Sequence, residues 1–162
     1  MSMKFNTIIL VDDEPAHATL VERNLRREGF NKDIVKLERG QEVLDLIFGL
    51  GDYEHRTSPD FPLILLDLNM PGKSGMDVLK EIKSNVETSH IPIIVLTTSD
   101  DPAEIEQCYQ LGCNAYIIKP VMPDEFREKM GELGKFLNLT SMPSCSTIVQ
   151  VDAKLDDKEG DV

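Results

Sequence analysis

Short apolar runs alternate along this chain with longer stretches in which apolar positions recur every three or four residues. TIILVDD, beginning at Thr7, is too short and too rich in β-branched residues for a helix and predicts a buried strand. From Pro15 to Gly29, Ala18, Leu20, Val21 and Leu25 recur at helical spacing, and Gly29 is placed to cap the end. DIVKLE reads as a second, half-exposed strand and GQEVLDLIFGL as a second helix. Gly51 to Pro62 reads as a loop, long for a compact α/β domain. LILLD is a third strand, and Gly75 to Ser84 a third helix with Met76, Leu79, Ile82 and Lys83 at the right intervals. IPIIVLTT is a fourth strand with Pro92 confined to its start. Asp101 to Leu111 is a fourth helix, capped by Asp101 with Pro102 at its first position. AYIIK and the stretch from Pro123 to Leu137 complete the series.

Five repeats of strand then helix predict an α/β domain: a doubly wound parallel sheet with helices on both faces. The strands starting at Ile8, Leu63 and Ile93 are the most apolar and belong in the middle, and the more polar second strand belongs at an edge. Beyond Asn138 the periodicity stops. TSMPSCS and DAKLDDKEGDV predict a flexible acidic tail over 138–162, in which STIVQV reads as a short strand or contact segment.

Charge narrows the classes. The formal net charge of −12 and pI of about 4.6 argue against nucleic acid and against anionic membrane as partners. No apolar run approaches the roughly 18 residues of a membrane span, and the start of the chain does not read as a signal peptide. Cys108, Cys113 and Cys145 are odd in number and lack metal-site spacing, so the expected compartment is the reducing cytoplasm.

In a sheet of this kind, sites form at the carboxyl ends of the strands, where strand order reverses. Strand one ends in Asp12 and Asp13, strand three in Asp67, strand four in Thr97 and Thr98, and strand five in Lys119 followed by Pro120. Three crowded carboxylates repel one another and call for a cation. A hard ion held by carboxylates, water and phosphate oxygens is the usual Mg²⁺ arrangement. An ammonium, a hydroxyl and an acid cluster around one carboxylate suit phosphoryl transfer, with Asp67 as nucleophile. Each residue alone has a plainer role: Asp12 and Asp13 as a helix cap, Thr97 as a helix start, Lys119 as a surface lysine. Their convergence on one rim weakens those readings together.

VDDE, LLDLNMPGKSG, PIIVLTT and YIIKP, in this order and spacing, resemble the receiver domain of two-component response regulators over 6–137. The resemblance implies a flavodoxin-like sheet of order 2-1-3-4-5 with five helices. It implies phosphorylation of Asp67 from the phosphohistidine of a sensor histidine kinase. It implies Mg²⁺, with Mn²⁺ as a substitute, on Asp12, Asp13, Asp67 and the backbone carbonyl of Asn69. Thr97 and Lys119 would bind the phosphoryl oxygens, and a cis Lys119–Pro120 bond is expected. Tyr116 matches an aromatic that swings inward once Thr97 has moved. The protein would be a switch that catalyses only its own phosphotransfer and dephosphorylation. Thr98 departs from the smaller residue usual there and would narrow access to the phosphoryl group, while Asn69 could orient a water. With no output domain in view, the lone receiver and long loop are similar to regulators paired with bacterial phytochromes. That implies an unknown downstream protein and a homodimer through helix four, strand five and helix five.

Two enzymatic or binding alternatives fit less well. A haloacid-dehalogenase-type phosphohydrolase wants a second Asp two residues after the nucleophile, where this chain has Asn69. A flavodoxin wants a phosphate-cradling loop after strand one, where DDEPAHA would repel the phosphate. A receiver-like scaffold that is never phosphorylated is the remaining alternative.

Overall fold

The structure, a computed structural model, describes residues 5–54 and 62–139. Five strands alternate with five helices: β1 (Thr7–Val11), α1 (Pro15–Arg27), β2 (Asp33–Leu37), α2 (Gly40–Phe48), β3 (Pro62–Leu66), α3 (Gly75–Ser84), β4 (Ile93–Thr97), α4 (Pro102–Leu111), β5 (Ala115–Ile118) and α5 (Pro123–Leu139). The strands form one parallel sheet of order β2-β1-β3-β4-β5, the flavodoxin-like order that the resemblance implies.

The period of two along each central strand splits the core into two layers. Ile9, Val11, Ile64, Leu66, Ile93 and Val95 face α2, α3 and α4, joined by Val43, Leu79 and Ile82. Ile8, Leu10, Leu63, Leu65, Ile94 and Leu96 face the other way, against Val21 and Leu25 of α1 and Phe126, Met130 and Leu133 of α5. Every residue of β1, β3 and β4 is buried, as expected of strands covered on both faces. Edge strands β2 and β5 are largely half-exposed.

Local chemistry sets the helix ends. Ser74 and Asp77 form a reciprocal capping box at the start of α3. Asp101 accepts a bond from the Ala103 N–H, and Pro102 opens α4. The helix α1 stops one residue earlier than its glycine suggests. Glu28 is the cap, and Gly29 takes the left-handed φ of 92° beyond it, with Phe30 N–H bonded to Leu25 O. Leu20, expected on the buried stripe, is 42% exposed. Helical spacing groups residues into a stripe but does not say where its border falls, and Leu20 lies beyond it. The segment Gly51–Pro62 is not loop throughout: a 3₁₀ turn occupies Gly51–Tyr53, and Pro62 opens β3. Residues 55–61 and the tail with its STIVQV run lie outside the described residues. No helix among the described residues is long and apolar enough to cross a membrane.

Candidate phosphoacceptor site

The sheet register carries three acids to one rim. Asp12 follows β1 directly, and its N–H continues the ladder to Leu37 O at 3.0 Å. Asp67 follows β3, and its N–H is bonded to Val11 O at 3.0 Å. Asp12 and Asp67 thus stand on adjacent central strands, with Asp13 beside them. Each offers a carboxylate oxygen within 4.8 Å of the other two.

Lys119, at the end of β5, closes the site from the far side. Its Nζ is 2.6 Å from Asp12 Oδ2 and 3.7 Å from Asp67 Oδ2. Asp12, Asp67, Thr97 and Lys119 are all buried, whereas Asp13 is half-exposed. The other oxygen of Asp12 accepts from the Glu14 N–H at 2.9 Å, and Asp67 Oδ1 accepts from the Asn69 N–H at 3.2 Å. Burial pushes the Asp67 carboxyl above its ordinary range; Lys119 and the Asn69 N–H pull the other way, Asp12 adds to the rise, and Thr97 opposes it.

Two further expected residues take defined positions. The Asn69 side-chain amide donates to Thr97 Oγ1 at 3.3 Å. The Tyr116 hydroxyl donates to Ser99 O at 2.8 Å while its half-buried ring packs against the core layer that contains Val95 and Cys108. Thr98 is exposed at the rim. The expected cis bond is absent: Lys119–Pro120 is trans, and no described peptide bond is cis. The trans isomer is preferred even before proline, by about 0.5–1 kcal/mol. Lys119 already reaches Asp12 from it, so the site needs no exception.

One residue that the sequence reading passed over is decisive for the shape of the rim. A Cβ on Gly75 would lie 2.1 Å from Asp67 O and 2.7 Å from Leu68 Cα. Only glycine lets the start of α3 press against the backbone of the acid, where Gly75 N–H bonds Leu68 O at 3.0 Å. The signal was a glycine directly after the capping Ser74, inside a helix rather than in the turn. Gly72, in the turn itself, has a φ of 73° and open space around it.

The donor set is all oxygen. One ammonium among three carboxylates leaves excess negative charge at a half-open rim, which suits a hard divalent cation that keeps part of its water. A buried carboxylate beside an ammonium and a hydroxyl, at the carboxyl edge of a doubly wound sheet, defines the class: an acid-cluster site able to take a hard cation, on a flavodoxin-like fold.

Comparison with known proteins agrees. The family model of the response regulator receiver domain matches residues 8–131. Response regulator Rcp1 of Synechocystis is 34% identical over 138 residues, which span 85% of this chain and 92% of Rcp1. Its Mn²⁺-bound crystal structure superposes with a TM-score of 0.78 over 85% of this chain and 99% of that one, at 32% identity. A response regulator receiver domain from Rhodospirillum rubrum is 41% identical, with a TM-score of 0.78 over 85% of this chain and 96% of that one. The phosphorylated cyanobacterial phytochrome response regulator RcpA gives 33% identity and 0.77 over 86% and 99%. The chain belongs to the response regulator receiver family of two-component signalling.

Proposed function

We propose that Asp67 is the phosphoacceptor and that a sensor histidine kinase supplies the phosphoryl group. The observation that carries this is the placement of the buried Asp67 carboxylate within 4.8 Å of two other acids and 3.7 Å from Lys119. In the step, an Asp67 oxygen forms a bond to phosphorus as the P–N bond to the kinase imidazole breaks, and the imidazole leaves with the bonding pair. Asp12, Asp13, Asp67 and the Asn69 carbonyl would hold Mg²⁺, or Mn²⁺ in its place, which when bound neutralises charge on the phosphoryl oxygens. The chain's own contribution is to position. Lys119 exchanges its short contact with Asp12 for a phosphoryl oxygen. The Thr97 hydroxyl, which now accepts from Asn69, turns to donate to another. Asn69 offers an amide and not a carboxyl two residues after the nucleophile, so no general acid stands there for a phosphohydrolase.

Phosphorylation adds charge and acceptor oxygens. The movement of Thr97 then biases the packing of Tyr116 and, with it, the face of α4, β5 and α5. Tyr109, Ile118 and Met122 are exposed near this face. They suit a downstream protein or a second copy of the chain. The likeness to the phytochrome response regulator RcpA and the bacteriophytochrome response regulator RtBRR supports a bacterial phytochrome as the kinase partner, and a relay fed by such a kinase acts in the cytoplasm. Incubation with Mg²⁺ and acetyl phosphate should add one base-labile phosphoryl group by intact mass, and none to Asp67→Asn. Label recovered on a serine or histidine would end this reading.

A further inference from the structure

Helix α4 is held to the domain less firmly than its neighbours. Of its 10 residues only Cys108 is buried, whereas α1 buries Ala18, Val21, Asn24 and Leu25 and α3 buries Gly75, Val78, Leu79 and Ile82. An element with few buried apolar contacts opens easily, so α4 depends on the polar bonds at its ends. Its C-terminal end closes locally, with the Gly112 N–H bonded to Cys108 O and Tyr109 O at 3.1 Å. Its N-terminal end is tied to the rest of the molecule.

That tie converges on Ser99, two residues beyond Thr97. The Ser99 carbonyl accepts from the Tyr116 hydroxyl at 2.8 Å. The Ser99 hydroxyl donates to a carboxylate oxygen of Glu104, in the first turn of α4. One loop residue is thus fixed at its carbonyl by β5 and at its hydroxyl by α4. Ser99, Glu104 and Tyr116 are all half-buried, so water competes less for these bonds than at an open surface.

An acid in the first turn of a helix is favoured by the helix dipole whatever it touches. The bond to Ser99 is what singles out Glu104. Glu106, two residues on, is exposed and accepts only from Gln110 of the same helix, at 3.4 Å. Burial pushes the Tyr116 hydroxyl and the Cys108 thiol up, the thiol to about 11, and the Glu104 charge adds to each rise. The Glu104 carboxylate therefore stands near both the ring on β5 and the buried side chain of α4.

We propose that Glu104 is a positioning residue: through the Ser99 hydroxyl it couples the end of β4 that carries Thr97, and the Tyr116 hydroxyl bonded to Ser99, to the first turn of α4. On the reading of Asp67 as phosphoacceptor, on which this rests, movement of Thr97 reaches α4 through that bond as well as through the packing of the Tyr116 ring.

The test compares the full chain with Glu104→Ala, Ser99→Ala, the double variant and Glu104→Gln, first without any phosphodonor. Amide hydrogen exchange at Ile105 to Tyr109 should quicken about tenfold in each alanine variant, the factor expected when one charge-assisted bond is lost, with β4 unchanged. The double variant should exchange no faster than either single one, because both remove the same bond. Glu104→Gln keeps an acceptor oxygen and should stay near the parent, which a role for charge alone would not allow. With Mg²⁺ and excess acetyl phosphate, all variants should be labelled to the parent's extent by intact mass. The amide NMR signals of α4 should shift in the parent and in Glu104→Gln, and stay largely still in the alanine variants. Unchanged exchange in Glu104→Ala, additive effects in the double variant, or a full α4 response without the bond would overturn the proposal. If the parent took no label, the phosphoacceptor reading would fail, and the exchange measurements would still decide whether Glu104 holds α4.

Discussion

Lys119 lies 2.6 Å from Asp12 but 3.7 Å from Asp67, so the shortest charge-assisted bond goes to the acid that is not the proposed nucleophile. Asp67 keeps a longer-range attraction and one backbone donor, and burial outweighs both. The consequence for stability has a definite sign. A carboxyl whose folded-state pKa lies above its ordinary value of 3.8 contributes stability that is full below that pH and is lost as pH rises through the folded value. At neutral pH the Asp67 carboxyl is therefore a burden that a neutral isostere lacks. In metal-free buffer at pH 7, Asp67→Asn should unfold at higher urea concentration than the parent, and the gap should close as pH falls toward 4. A midpoint for Asp67→Asn equal to or below the parent's at pH 7 would contradict this. For the proposed role of Asp67 the same chemistry predicts that acetyl phosphate labelling falls off on the acid side, because only the ionised oxygen attacks.

At the scale of elements, the junction of β3 with α3 determines where Asp67 points, and two glycines divide the task. A Cβ on Gly75 would collide with backbone at 2.1 Å, whereas Gly72 has no atom within 4 Å of such a Cβ and needs only its left-handed φ. Gly72→Ala should cost about 1–2 kcal/mol of strain with phosphorylation rate preserved. Gly75→Ala should cost about 1–3 kcal/mol and also slow phosphorylation several-fold, because relief requires the Asp67–Leu68 backbone to move. Urea midpoints and acetyl phosphate kinetics on both variants separate the two effects. This contrast marks what the sequence could convey. β1, β3 and β4 were legible because full burial leaves unbroken aliphatic runs, and β2 because an edge strand admits Asp33 and Lys36. The acids and Lys119 were legible as strand-end residues once the strands were. The contact that demands Gly75, the exposure of Leu20, the trans bond before Pro120 and the preference of Lys119 for Asp12 all depend on how one element meets another. No local pattern encodes them.

For the molecule as a whole, a net charge of −12 means that any divalent salt will relieve repulsion, and a specific site must be told apart from that background. A ligand that binds only the folded state at a hundredfold excess over its Kd adds about 2.7 kcal/mol. For a domain of this size that corresponds to a rise in Tm of about 5–10 °C. Bulk screening depends on ionic strength alone. The expected outcome is that MgCl₂ raises Tm by this amount, while NaCl at matched ionic strength raises it much less. Asp13→Asn should remove more than half of the Mg²⁺-specific part. Asp13 is the informative position because it is half-exposed, unlike Asp12 and Asp67, so its neutralisation disturbs the cation site with little cost to packing. If NaCl matched MgCl₂, or if Asp13→Asn left the difference intact, the three acids would be a repulsive cluster tolerated beside Lys119 and not a metal site. The phosphotransfer chemistry proposed for Asp67 would then lack the cation that its charge requires.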